Sequence, residues 1–302
     1  MRRNIMQKFI DVKKIKSPLI FKGDEKTAYR DPAIVHDGSI FHIFFTLVKT
    51  EGDGVYMYIA KSESRDLIEF TPPKILTEKD KSKNYSSPGN IIKHDGKWTI
   101  VFQSYCRENG EKYSNGNCRI FAMESRDLIN FSEPEMLYLK GDTAPENMGR
   151  MIDPYLIEDK DEKGKWWCFY KQNGVSISYS YDLANWTYFG NTNSGENVCV
   201  VVKNGEYVMY HSPENGIGIM TSKDLINWTR EENLITLGQR GWDWAKGRIT
   251  AGVFMDITDL QGEPLYLLLF HGSGPENEET MFDNYASLGI AYSYDGEKWL
   301  WN

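Results

Sequence analysis

Ser64-Arg65-Asp66-Leu67, with Phe70 just beyond it, is the stretch that decides the fold, because the chain repeats it. It returns as Ser125-Arg126-Asp127-Leu128 with Phe131, Ser180-Tyr181-Asp182-Leu183 with Trp186, Ser222-Lys223-Asp224-Leu225 with Trp228, and Ser293-Tyr294-Asp295 with Trp299. Every copy is Ser-x-Asp followed four residues later by an aromatic, and the copies start 61, 55, 42 and 71 residues apart. Self-similarity at such spacings marks a repeated supersecondary unit. An Asp or Ser side chain can bond backbone amides within its own turn, and the aromatic can fill space between neighbouring units. These residues are therefore read as structural.

The unit is built of strands. Upstream of each copy runs a β-branched and aromatic segment: residues 40–47, 98–105, 166–170, 207–211 and 265–271. A turn signal precedes each: Asp37-Gly38, Asp95-Gly96, Lys163-Gly164, Asn204-Gly205 and Gln261-Gly262. Another apolar strand lies before each turn, and a third, such as 55–60 or 217–221, leads into Ser-x-Asp. No long amphipathic helix interrupts the pattern. Strand, tight turn, strand, loop, strand, turn, aromatic: this predicts an all-β protein, a five-bladed β-propeller. A single domain is expected over residues 1–302, with residues 1–28 packing on the propeller.

Composition narrows the function. The 302 residues are 40% hydrophobic, enough for a sizeable core, and the longest apolar run, near Tyr266–Phe270, has strand length. No membrane span is expected. Thirty-five basic against 43 acidic residues give −8, and no basic stripe exists to neutralise phosphates, so no nucleic-acid partner is expected. The start, Met1 to Lys8, is basic without the apolar core of a signal peptide. A cytoplasmic location is expected, or a secreted one had a signal been trimmed away. Cys106, Cys118, Cys168 and Cys199 lack metal-ligand spacing. Cys106 and Cys118 flank a polar loop and could face each other, although free thiols are the favoured reading.

Function is sought where the repeat is broken. In a propeller the innermost strands line the channel and their starts meet at one mouth. The blades open with Arg30-Asp31-Pro32, Ser86-Ser87-Pro88-Gly89-Asn90, Ile152-Asp153-Pro154, Ser194-Gly195-Glu196-Asn197 and Thr250-Ala251-Gly252. Asp-Pro alone is an ordinary turn dipeptide. Two Asp-Pro pairs and a Glu, read as being in register at one mouth, suit glycoside hydrolysis, which needs a proton donor and a water-activating carboxylate on opposite sides of the bond. A third carboxylate nearby can raise the pKa of the acid.

These motifs resemble glycoside hydrolase family 43, within the five-bladed superfamily of arabinanases, β-xylosidases, invertases and levansucrases. The resemblance runs over all five blades, roughly Asp31 to His271. It implies Asp31 as base, Asp153 as pKa modulator and Glu196 as acid, with an inverting reaction on α-L-arabinofuranosyl or β-D-xylosyl linkages of an oligosaccharide or glycoside. Glu196 is followed by Asn197-Val198 where the family usually has Gly-Pro, which leaves Glu214 as a fallback. Thr250-Ala251-Gly252 stands where many arabinanase-like members place a metal-binding His, so no cofactor is expected and a structural calcium is unsupported. His271, Arg30, Asn90, Trp242 and Trp244 are candidate substrate contacts. Two alternatives stay open: a retaining β-fructosidase-type hydrolase or transferase, whose Asn-Asp-Pro, Arg-Asp-Pro and Glu-Cys motifs are missing here, and a non-catalytic glycan-binding propeller.

Overall fold

The computed structural model describes residues 10–277 and 279–301. The Ser-x-Asp turns form as local chemistry dictates. Ser64 Oγ accepts the Leu67 amide at 2.8 Å, and Asp66 Oδ1 accepts the amides of Ile68 and Glu69 at 2.9 and 3.0 Å. The fifth copy does the same, Asp295 Oδ1 taking the amides of Glu297 and Lys298. The residue after each Asp is left-handed: Leu67, Leu128, Leu183 and Leu225 at φ 58–63°, and Gly296 at 78°. A left-handed leucine costs roughly 1–2 kcal/mol. Burial offsets it, since Leu67, Leu128 and Leu225 are at most 3% exposed.

Among the described residues, five four-stranded antiparallel sheets make a five-bladed β-propeller. From the channel outward, blade one is Thr27–His36, Phe41–Glu51, Gly54–Ser64 and Lys74–Ile75. Blade two is Ile91–His94, Lys97–Gln103, Ile120–Ser125 and Glu135–Met136, and blade three is Ile152–Glu158, Trp166–Lys171, Val175–Ser180 and Thr187–Thr192. Blade four is Glu196–Lys203, Glu206–Ser212, Gly218–Ser222 and Thr229–Arg230. Blade five has Arg248–Asp256, Tyr266–Ser273 and Ser287–Ser293, and its outermost strand, Leu19–Phe21, comes from the other end of the sequence. Each innermost strand touches the next, and that of blade five touches that of blade one.

The ring is thus closed by the N-terminal segment. Leu19 pairs with Gly289 and Phe21 with Leu288, while Leu300 bridges Tyr292 further along the same edge. Ile10, Val12 and Ile15 are buried in a core shared by blades one and five. The Gln261 amide clamps Ile10, donating to its carbonyl at 2.7 Å and accepting its N–H at 3.1 Å. The basic start read at Met1–Lys8 lies outside the described residues. Between blades the cores are aromatic: Phe131, which follows the second Ser-x-Asp turn, meets Phe44 of blade one edge-on at 5.9 Å. Tyr210 of blade four stacks on Phe254 of blade five at 5.1 Å.

Candidate active site

Every blade begins with the same backbone device. Asp31, Ser87, Asp153, Asn197 and Ala251 all adopt positive φ, between 48° and 54°. Ladder register shifts at four of these positions, between Arg30 and Ala33, Ile152 and Tyr155, Glu196 and Cys199, and Thr250 and Val253. Each is a bulge that turns one residue toward the channel. The residue before each bulge pairs across its hairpin: Arg30 with Thr46, Ser86 with Gln103, Ile152 with Lys171, Glu196 with Ser212 and Thr250 with His271.

Those second-strand partners tie blade to blade. The amide of Ser87 donates to Thr46 Oγ1 at 2.7 Å, and that of Asp153 to Gln103 Oε1 at 2.5 Å. The Ala251 amide donates to Ser212 Oγ at 2.9 Å, and the Asp31 amide to His271 Nδ1 at 3.1 Å. The fifth partner is Lys171, between blades three and four, and an ammonium has no lone pair to offer. Its Nζ turns instead to Glu196 Oε2. The ring of amide bonds is therefore interrupted at one junction, and a carboxylate and a cation stand in the gap.

The register corrects one expectation. Glu196 does not occupy the position of Asp31 and Asp153; Asn197 does, and Glu196 is the residue before the bulge, equivalent to Arg30 and Ile152. Aligned on the positive-φ residue, the blade-four carboxylate falls one place earlier than those of blades one and three. The three carboxylates still converge. Asp31, Asp153 and Glu196 all line a cavity of about 600 Å³ at the channel mouth, together with Arg30, Thr46, Gln103, Arg150, Lys171, Asn197 and Arg248.

Their environments differ. Asp31, 13% exposed at its side chain, accepts a hydrogen bond from Thr46 Oγ1 at 3.0 Å through Oδ2, and Asn197 Nδ2 approaches Oδ1 at 3.5 Å. Because Thr46 Oγ1 also accepts from Ser87, and Ser87 Oγ donates to Asp153 Oδ1 at 2.9 Å, one hydrogen-bonded chain joins the two aspartates. Asp153 is buried, and burial first, then the Asp31 charge, push its pKa above the usual carboxylate range, against opposing pulls from Lys171, Ser87 and Arg150. Glu196 has both oxygens engaged, Oε2 by Lys171 and Oε1 by Arg248 Nη2 at 3.3 Å.

The other sequence candidates separate. Arg30 is in the cavity, its guanidinium 4.4 Å over the Phe282 ring and its Nη1 donating to the Phe282 carbonyl at 3.1 Å. His271 is fully buried behind Asp31 and orients its backbone rather than facing the cavity. Asn90 is outside the lining and clamps Leu156 of blade three, donating to its carbonyl at 2.6 Å and accepting its amide at 2.9 Å. Trp242 and Trp244 also lie outside it: they stack on each other at 5.0 Å and on Phe270 at 6.0 and 5.9 Å, packed into the core of blades four and five. Glu214 is exposed and outside the cavity.

Residues that sequence reading missed complete the wall. Tyr105, Tyr113 and Phe282 offer ring surface; Phe282 stacks on Tyr105 at 5.6 Å and meets Tyr113 edge-on at 5.4 Å. A bidentate pair from Arg107 to Asp283, at 2.7 and 2.9 Å, fixes the chain beside Phe282. The four cysteines are buried and free. Among the described residues no group of His, Cys, Asp and Glu is arranged to hold a metal ion.

A sequence model described as "Glycosyl hydrolases family 43" matches residues 25–187, more than half of the chain. The match takes in Asp31 and Asp153 and ends before Glu196. No curated protein sequence matches the chain. Solved structures share the fold at low identity. An exo-1,5-alpha-L-arabinanase from a bovine ruminal metagenomic library is 15% identical, with 94% of this chain and all of that one covered and a TM-score of 0.62. An alpha-L-arabinofuranosidase from Lactobacillus brevis is 13% identical, with 88% and 91% covered and a TM-score of 0.61. The GH43 protein BlXynB from Bacillus licheniformis, a mutant form, is 17% identical over 92% of this chain, with a TM-score of 0.61; the chain spans 55% of that protein.

Proposed function

The chain belongs to glycosyl hydrolase family 43, and on that premise we propose that its channel mouth hydrolyses α-L-arabinofuranosyl or β-D-xylosyl linkages with inversion. The observation that carries the reading is the meeting of Asp31, Asp153 and Glu196, from three blades, in one cavity of about 600 Å³. That volume suits a small sugar-sized ligand.

Asp31 is the base: it takes a proton from water as the water oxygen attacks the anomeric carbon. Glu196 is the acid: it gives a proton to the glycosidic oxygen as the carbon–oxygen bond breaks, so that water adds across the bond. Asp153 is the modulator: burial and the Asp31 charge make it resist ionising. Phe282, Tyr105 and Tyr113 give the apolar face of a sugar ring a surface to lie on.

The test is turnover of aryl arabinofuranosides, xylosides and fructosides, with proton NMR of the first anomer released. Cleavage of an arabinofuranoside or xyloside to the inverted anomer supports the proposal. A retained anomer, or activity on fructosides alone, overturns the mechanism or the substrate. Tight sugar binding without any cleavage leaves a glycan-binding propeller.

A further inference from the structure

The interrupted junction between blades three and four is also where positive charge gathers. Beyond Glu196 a second cavity, of about 820 Å³, opens and shares Arg150, Lys171, Glu196 and Arg248 with the first. Among the described residues, the charged side chains that line it are Lys140, Arg150, Lys171 and Arg248, with Glu196 as the carboxylate. This sits in a protein whose net charge is −8. A group of cations favours an anionic ligand over a neutral arabinosyl or xylosyl chain. Arg150 takes part in none of the ion pairs among the described residues; its Nε donates to Ser114 Oγ at 2.8 Å. A guanidinium so placed matches the paired oxygens of a carboxylate or sulfate.

Glu196 adds an independent reason. A general acid must carry a proton on one oxygen, and both of its oxygens face cations, Lys171 and Arg248. An anion arriving from the second cavity would give those cations another partner and leave a carboxyl oxygen for the proton.

We propose that the second cavity, through Arg150, Lys171 and Arg248 with Lys140 at its side, binds an anionic substituent on the leaving-group sugar, so that the substrate is an acidic glycan. The proposal rests on the glycosidase reading and names the substrate class for that same site. The anionic group, a uronic-acid carboxylate or a sulfate ester, engages the cations as the glycosidic oxygen comes to Glu196.

Two matched substrate pairs test it with the wild-type protein. In one, an arabinosyl or xylosyl residue is linked to a uronic acid or to its neutral methyl ester; in the other, to a sulfated sugar or its desulfated form. The acid form should show kcat/KM at least about tenfold higher in one pair, a gap that narrows with added salt. The pair that responds identifies the anion. Arg150→Gln should reduce turnover of the acid form more than that of its neutral partner. Equal or better cleavage of the neutral form in both pairs overturns the proposal and leaves the glycosidase reading standing. If no pair is cleaved, calorimetric binding of the same compounds decides. Tighter binding of the acid form keeps the anion site and sinks the glycosidase reading; equal binding sinks the anion site.

Discussion

Asn90 is where sequence and structure assign different jobs, so Asn90→Ala separates them. Its side-chain amide makes a reciprocal pair of bonds with the backbone of Leu156, joining blades two and three, and Leu156 is 2% exposed. Truncation strands one buried N–H and one buried C=O. Each orphan costs about 1–3 kcal/mol. With some water reaching the partly exposed Asn90 side, the total is roughly 2–4 kcal/mol. For a chain of 302 residues the unfolding entropy is about 0.6 kcal/mol per kelvin, so Tm should fall by about 3–6 °C. The assay is calorimetric melting at a fixed scan rate, beside steady-state kinetics at 25 °C on the best substrate from the glycoside screen. The account predicts the lower Tm with KM unchanged. An unchanged Tm with KM raised severalfold would refute it and put Asn90 in the pocket.

Glu196→Gln should depend on the leaving group: an aryl glycoside with an activated phenol keeps most of its rate, whereas a natural oligosaccharide loses about 10²-fold or more; equal loss on both would remove Glu196 as the acid. For Asp153, a folded-state pKa raised by burial means stability that is present below the unfolded value of about 4 and lost as pH rises through the folded value. Since Asp153→Asn lacks that loss, its Tm relative to wild type should climb from pH 4 toward neutrality; a flat difference across a pH series of melts would contradict the assignment. Activity should survive EDTA, and a rate abolished by chelation and restored by calcium would show a metal site the account lacks.

What was legible in the sequence was whatever local chemistry dictates. Ser-x-Asp is a turn whose bonds close within five residues, so each copy announces a blade. The closure of blade five was not legible: Leu19 finds Gly289 across nearly the whole chain, and a three-residue strand carries too little pattern to name its partner. The convergence of Asp31, Asp153 and Glu196 could be expected from strand starts, but the one-residue offset at Glu196 could not, because the positive-φ residue that sets the register has no fixed identity: Asp31, Ser87, Asp153, Asn197 and Ala251. Asn90 and His271 stand at strand starts and ends like pocket residues, and only the neighbouring blade reveals that they hold backbone. One signal was available and unused. The second strand of each blade carries a polar residue opposite the mouth, Thr46, Gln103, Lys171, Ser212 and His271, and the lysine is the odd one among acceptors.

The central claim is that Asp31 activates the water that breaks a glycosidic bond at this mouth. Its side chain is held by Thr46 and its amide by His271, and Asn has the same shape. The direct measurement is kcat/KM of Asp31→Asn on aryl and natural glycosides alike, with a melting curve to verify folding. The account predicts a loss of at least about 10²-fold on every substrate, because the base is needed whatever group leaves. A folded Asp31→Asn protein that stays within a few-fold of wild type on any of them would contradict it.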